Sequence, residues 1–191
     1  MSNRTAYPRT FRWNLELSGL IIGLLTSAFL LAGAVQGRAA EIESRYTTIV
    51  YDREDLLQRF NDEVRLRGLS YLMRTRTSLT AADEAKNKLD VVIERVQKVL
   101  EMYPKLKIRV VLVASDADVA AAYKRLYGRT VDFIAFYSPR EKTVYVSVSD
   151  VNLHVIAHEL AHVVVDHYFG ISPSARIHEV LAQFAETHLE E

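Results

Sequence analysis

The chain contains no cysteine, and glycine (7) and proline (4) are scarce among its 191 residues. Without cysteine there are no disulfides, thiolate metal sites or cysteine nucleophile, so any metal site must draw on His, Asp and Glu. Scarce glycine and proline beside 49% hydrophobic residues exclude a collagen-like or disordered chain. Net charge is lacking too, because 24 basic residues balance 24 acidic ones. That balance argues against a dedicated nucleic-acid binder, which carries a basic excess. The length fits one ordinary domain with a real hydrophobic core. What the sequence does hold is gathered at its two ends.

The first fourteen residues carry Arg4, Arg9 and Arg12 and no acid, and Leu17–Val35 follows as 19 uncharged residues. Arg38, Glu41 and Glu43 end that run. A basic flank before an apolar run is the physical form of an export signal, since the positive end resists translocation. Two readings stand. As a signal peptide, its hydrophobic core is Leu20–Leu31, with cleavage after Ala34 (the Ala32-Gly33-Ala34 pattern) or after Ala39. As an anchor, a helix over the run rises about 28 Å, just enough for a hydrocarbon core. Residues 1–40 are expected to be this export signal or membrane anchor. Residues 41–191 then form an extracytoplasmic domain, either periplasmic or secreted, or tethered through residues 17–35 and facing outward. With Arg4, Arg9, Arg12, Arg38 and Glu16 set aside, that domain carries 20 basic against 23 acidic residues.

Along residues 41–191, Thr47–Tyr51 (TTIVY) is β-branched and reads as a strand. Asp52 is placed to cap a helix reaching about Leu66, with Leu56, Leu57, Phe60 and Val64 on one stripe. Arg65, Arg67, Arg74 and Arg76 make the next stretch basic, which reads as a solvated face or a phosphate-binding patch. Thr80 with Asp83 opens a long helix whose apolar stripe is Leu89, Val92, Ile93, Val96, Val99 and Leu100. Leu106–Val113 follows, then a helical or irregular stretch to Tyr127-Gly128. Val131–Tyr137 and Thr143–Val148 flank a turn and read as a hairpin. Asn152–Tyr168 is a helix ending at Gly170, and Ser172-Pro173 opens a last helix to about Leu189. This order specifies an α+β domain with one small mixed or mostly antiparallel sheet backed by helices.

The chemistry sits in the penultimate helix, which reads His158-Glu159-Leu160-Ala161-His162. All six histidines lie between His154 and His188. Residues i and i+4 of a helix share a face, so two imidazoles can converge on one ion, while Glu159 is rotated about 100° and stands beside it. There it can accept a proton from an activated water. A third ligand is required. The extended H-E-x-x-H-x-x-G-x-x-H pattern fails, with Val165 and Tyr168 at its last two positions. The final helix offers Glu179, which two antiparallel helices joined across Gly170–Pro173 can bring opposite the histidine pair; its neighbour His178 is the alternative.

HELAHVVVDHYFG followed by HEVLAQF resembles the gluzincin zinc metallopeptidases, in particular the short peptidase MA-like and minigluzincin domains. The resemblance is close over residues 144–189 and loose upstream. It implies a zincin-like single domain in which the H-E-x-x-H helix precedes a C-terminal helix carrying the third ligand. It implies Zn²⁺ held by His158, His162 and Glu179, with Glu159 as general base and then acid in hydrolysing the peptide bonds of a polypeptide substrate. The family pattern also gives the position of Gln183, usually Asp or Glu, the role of orienting a ligand histidine. Val180 departs from the usual glycine. Thr143–Val148 resembles the zincin edge strand that pairs with extended substrate.

Other polar residues have open roles. Asp166, one turn after His162, can bond that imidazole or solvate the helix end, and His154 can line the cleft or cap. Tyr168, His167 and His188 are candidate oxyanion stabilisers. The alternative function is a non-catalytic envelope domain in which a structural zinc, or the bare fold, supports partner binding.

Overall fold

The computed structural model describes residues 39–191. The signal or anchor read in residues 1–40 lies almost wholly outside the described residues. Among those described, no helix is long and apolar enough to cross a membrane.

Five strands form one mixed sheet: β1 (Ala40–Glu43), β2 (Thr47–Tyr51), β3 (Ile108–Val113), β4 (Ala135–Ser138) and β5 (Thr143–Ser147). Their spatial order is β1-β2-β3-β5-β4. The central pairs β2–β3 and β3–β5 are parallel, and the outer pairs β1–β2 and β4–β5 are antiparallel. The parallel pairs follow from their connections, since each crosses through helices instead of a tight turn. Five helices complete the domain: α1 (Glu54–Glu63), α2 (Ala81–Leu100), α3 (Asp116–Tyr127), α4 (Leu153–Tyr168) and α5 (Ala175–Thr187). A 3₁₀ segment, Arg67–Met73, links α1 to α2.

The period of two along the strands sorts side chains into two cores. Val110, Leu112, Val144 and Val146 join residues of α1, α2, α4 and α5 in the main core. Val111, Val113, Phe136 and Tyr145 turn to the opposite face and meet α3 through Val119 and Ala122. The helix α5 is an outer layer packed on α4 and α2.

Helix ends follow local chemistry. Thr80 caps α2 by accepting from the Asp83 amide. Ser115 and Asp118 form a reciprocal capping box on α3, which ends at Gly128 in a left-handed conformation (φ 71°) that glycine adopts without strain. Asp52 is not the cap of α1: Arg53 occupies that position without a side-chain bond, and the acids Glu54 and Asp55 lie in the first turn.

The pairing corrects one expectation and adds one strand. Thr143–Ser147 is an internal strand between β3 and β4, so the open edge nearest α4 is β4. The first strand, β1, was not anticipated; its Glu41 and Glu43 pair with Arg109 and Lys107 of the β3 side.

Candidate metal centre

The scaffold of the site is α4. Asn152 opens it, its side chain accepting from the amides of His154 and Val155. Ile156, Ala157, Leu160, Ala161, Val163 and Val164 are buried in the main core. Each large aliphatic buried this way contributes roughly 1.5–3 kcal/mol, so the helix has little rotational freedom. His158 and His162, one turn apart, face α5, which runs back along α4 after the Gly170–Ser174 connection.

The two Nε2 atoms lie 3.2 Å apart. Glu179 of α5 brings Oε2 within 3.5 Å of the His158 Nε2 and Oε1 within 3.6 Å of the His162 Nε2. These three residues form a group whose ligand atoms can hold one metal ion. A tetrahedral ion with bonds of about 2.0–2.2 Å spaces its ligand atoms about 3.3–3.6 Å apart. Each separation falls in or near that range, and because the two carboxylate contacts use different oxygens of Glu179, a small turn of that side chain closes the triangle on a single oxygen. Glu179 is half exposed, with 56% of its side chain accessible, so the group opens to solvent on one side.

The tautomer of His158 follows from its other nitrogen. Its Nδ1 lies 3.1 Å from Oε2 of Glu186, a carboxylate that can only accept. The proton then sits on Nδ1, which donates to Glu186, and the Nε2 lone pair points into the donor triangle. His162 is neutral for a second reason. Burial, then the fields of His158 and His178, push its pKa down to about 4.

Glu159 stands beside the triangle, not in it. Its Oε2 accepts from the Tyr137 amide of β4 at 2.7 Å. Burial raises its pKa to about 6, partly offset by His158 and by that amide hydrogen bond. A carboxylate poised there is suited to accepting a proton near neutral pH.

The structure brings His158, His162, Glu179 and Glu159 together, and it seats the remaining named residues elsewhere. Gln183 is exposed on α5 and contacts neither ligand imidazole through a hydrogen bond; the contact expected of it is made by Glu186, two turns after Glu179. The signal was present in the sequence, since residues seven apart share a helix face as well as those four apart. Asp166 bonds neither His162 nor bulk solvent alone: it accepts from the Tyr137 hydroxyl at 2.8 Å, tying α4 to β4. Burial and that bond hold the Tyr137 hydroxyl protonated far above its usual range. His178 is outside the donor triangle; its Nε2 bonds the Ser172 hydroxyl at 2.8 Å, and its ring lies 5.6 Å from that of His162.

None of the three candidate oxyanion stabilisers reaches the cleft. His167 Nδ1 bonds the Val163 carbonyl, Tyr168 packs edge-on against Phe169, and His188 stacks on Phe184. His154 lies against the Glu186 carbonyl at 3.3 Å, at the far end of α5.

Cavities of about 400 and 340 Å³ flank the group. The first runs along β4 past Tyr123 and Phe133, and the second lies under Pro139, Pro173 and His178. A larger cavity, about 540 Å³, lies apart from them where Arg65 and Arg67 meet the start of α4. Glu63 and Glu186 line it too, which opposes the phosphate-binding reading of that basic stretch. No protein-family model, curated protein or solved structure matches the chain.

Proposed function

We propose that this chain is an exported zinc-dependent peptidase of gluzincin type, with a zincin-like arrangement of sheet edge, H-E-x-x-H helix and glutamate-bearing helix. The observation that carries the proposal is the convergence of His158, His162 and Glu179 at separations of 3.2, 3.5 and 3.6 Å, with Glu159 alongside and one flank open. Two imidazoles and a carboxylate with an open position are the donor set of catalytic zinc, whereas structural zinc is closed by four protein ligands.

When bound, zinc supplies Lewis acidity, making water acidic near neutral pH and polarising a carbonyl. The chain supplies the rest. Glu159, held at Oε2 by the Tyr137 amide, accepts the proton of the attacking water on its carboxylate and hands it to the leaving amine. Glu186 keeps the His158 Nε2 lone pair aimed into the triangle. The open edge of β4 offers backbone groups to an extended polypeptide. Export follows from the basic arm and the uncharged run Leu17–Val35, as signal peptide or outward-facing tether.

The test is metal content and peptide hydrolysis of the purified full-length chain. One zinc per chain and hydrolysis abolished by Glu159→Gln with zinc retained are expected. Full activity in that variant ends the peptidase reading. Zinc without hydrolysis of any peptide favours the non-catalytic binding domain.

A further inference from the structure

The open edge of β4 has two unlike flanks. Ile134 accepts from the Ser147 amide at 2.9 Å, and antiparallel alternation then turns Phe136 and Ser138 toward β5 as well. The backbone groups of Ala135 and Tyr137 are left on the outer side. The Tyr137 amide there is taken by Glu159, which fixes that side as the one facing the metal group. The Ala135 amide and carbonyl and the Tyr137 carbonyl remain to receive an added strand.

The side chains of β4 alternate between faces. Ala135 and Tyr137 belong with the main core on the α4 side, and Phe136 belongs with Tyr123 and Tyr145 on the α3 side. Phe136 stacks on Tyr145 at 4.9 Å and meets Tyr123 edge-on at 5.1 Å. Phe133, just before β4, meets Tyr123 edge-on at 5.5 Å, yet 42% of it is exposed. The three rings of Tyr123, Phe133 and Phe136 thus make a stepped shelf, with Phe133 exposed, Tyr123 half-buried and Phe136 buried at its base. It is one wall of the cavity whose other wall is His158, Glu159, His162 and Glu179.

An extended chain laid along β4 as a sixth strand sends every second side chain to the α3 side. We propose that the shelf of Tyr123, Phe133 and Phe136 is a side-chain subsite that takes an aromatic or large aliphatic residue of a polypeptide paired to β4. The inference rests on the peptidase reading for its consequence, cleavage at a fixed distance from a bulky apolar residue. The shelf's chemistry is that of aromatic pairing, in which edge-on and offset contacts add to simple burial.

Two measurements test it, both on the full-length chain. In the first, the zinc-loaded protein digests a mixed peptide library, and cleavage sites are read by mass spectrometry. Phe, Tyr, Leu or Met should be enriched at one fixed position relative to the cut. Replacing that residue by Ala in a peptide should lower kcat/KM roughly tenfold or more. Phe133→Ala should erase this discrimination while peptides already carrying Ala are cut at nearly the parent rate, and Phe133→Leu should keep most of it. Cleavage with no such enrichment overturns the inference, as does a Phe133→Ala variant that slows all peptides equally.

In the second measurement, Glu159→Gln is titrated into a fluorescein-labelled Thr-rich peptide carrying one Phe, its Ala counterpart, and a backbone N-methylated copy. Tighter binding of the Phe peptide than of both others is expected, and equal binding or none overturns the subsite. Should no peptide be cut in the first measurement, the peptidase reading fails, and this binding result alone decides the shelf.

Discussion

Glu186 Oε2 lies 3.1 Å from Nδ1 of His158, seven residues beyond Glu179 on the same helix. One helix face therefore carries both a candidate metal ligand, Glu179, and the carboxylate that orients the imidazole of His158.

Removing that carboxylate should weaken metal retention while leaving the ligands in place. Glu186→Gln is expected to lower zinc affinity about 10-fold and Glu186→Ala about 100-fold, the range for partners that orient ligand histidines. Competition with a fluorescent chelator measures it. Gln183→Ala should leave affinity unchanged, and a larger loss in that variant than in Glu186→Ala refutes the assignment.

In the proposed mechanism Glu159 sets an acid limit on turnover. With its pKa raised to about 6, the base is protonated below that pH, and kcat/KM should fall tenfold per unit on the acid side. The same shift has a stability consequence in the zinc-free protein. The folded state binds more protons than the unfolded one between the ordinary glutamate value of 4.5 and about 6, so the stability Glu159 gives below 4.5 is lost as pH rises through that window. His162, lowered from 6.5 to about 4, works in the opposite direction and gains stability as pH rises through its own window. Glu159→Gln removes the first slope and keeps the second. Denaturant titrations should find it more stable than the parent by roughly 2 kcal/mol at pH 7 and equal to it near pH 4. A constant difference across pH contradicts this.

Arg95 of α2 is buried at 8% exposure, with Nε donating to the Leu189 carbonyl and Nη2 to that of His188. A cation suits the partial negative charge at the end of α5. Arg95→Met should cost roughly 2–3 kcal/mol, the value of hydrogen bonds to a charged group plus orphaned carbonyls. Hydrogen exchange should quicken in α5 before it does in α4.

Asp90 holds the β1–β2 connection to α2, accepting from Ser44 Oγ at 2.7 Å and from the amides of Arg45 and Tyr46 at 3.3 and 3.4 Å. It is 6% exposed. Asp90→Ala leaves these donors unpaired and should lower stability by about 2–3 kcal/mol, read from chemical denaturation. Zinc binding, placed beside β4 at the opposite edge of the sheet from β1, should be unaffected.

Much of the site was legible because its information is local. His158, Glu159 and His162 share one helix turn, and Glu179 follows after a short connection, so helical spacing brings them near one another. The stripe Leu89, Val92, Ile93 and Val96 and the capping pair Thr80 and Asp83 were legible for the same reason. The edge strand was not. Whether Thr143–Ser147 or Ala135–Ser138 lies outermost depends on β5 pairing with β3, more than thirty residues earlier in the chain, and no period in either segment encodes that choice. Both alternate. Strand β1 escaped notice because AEIE is short and polar and gains its order from pairing with β2. Asp166 was ambiguous for a similar reason, since its partner Tyr137 belongs to another element.

The four groups placed to grip or steer an ion in the proposed reading, His158, His162, Glu179 and Glu186, all ride on the α4–α5 hairpin, while the brace on Glu159 comes from the sheet through Tyr137. Cargo and trigger are thereby mounted on separate parts. If the proposed function holds, damage to the hairpin would empty the protein and silence it together, whereas a slip of β4 would leave it loaded but idle.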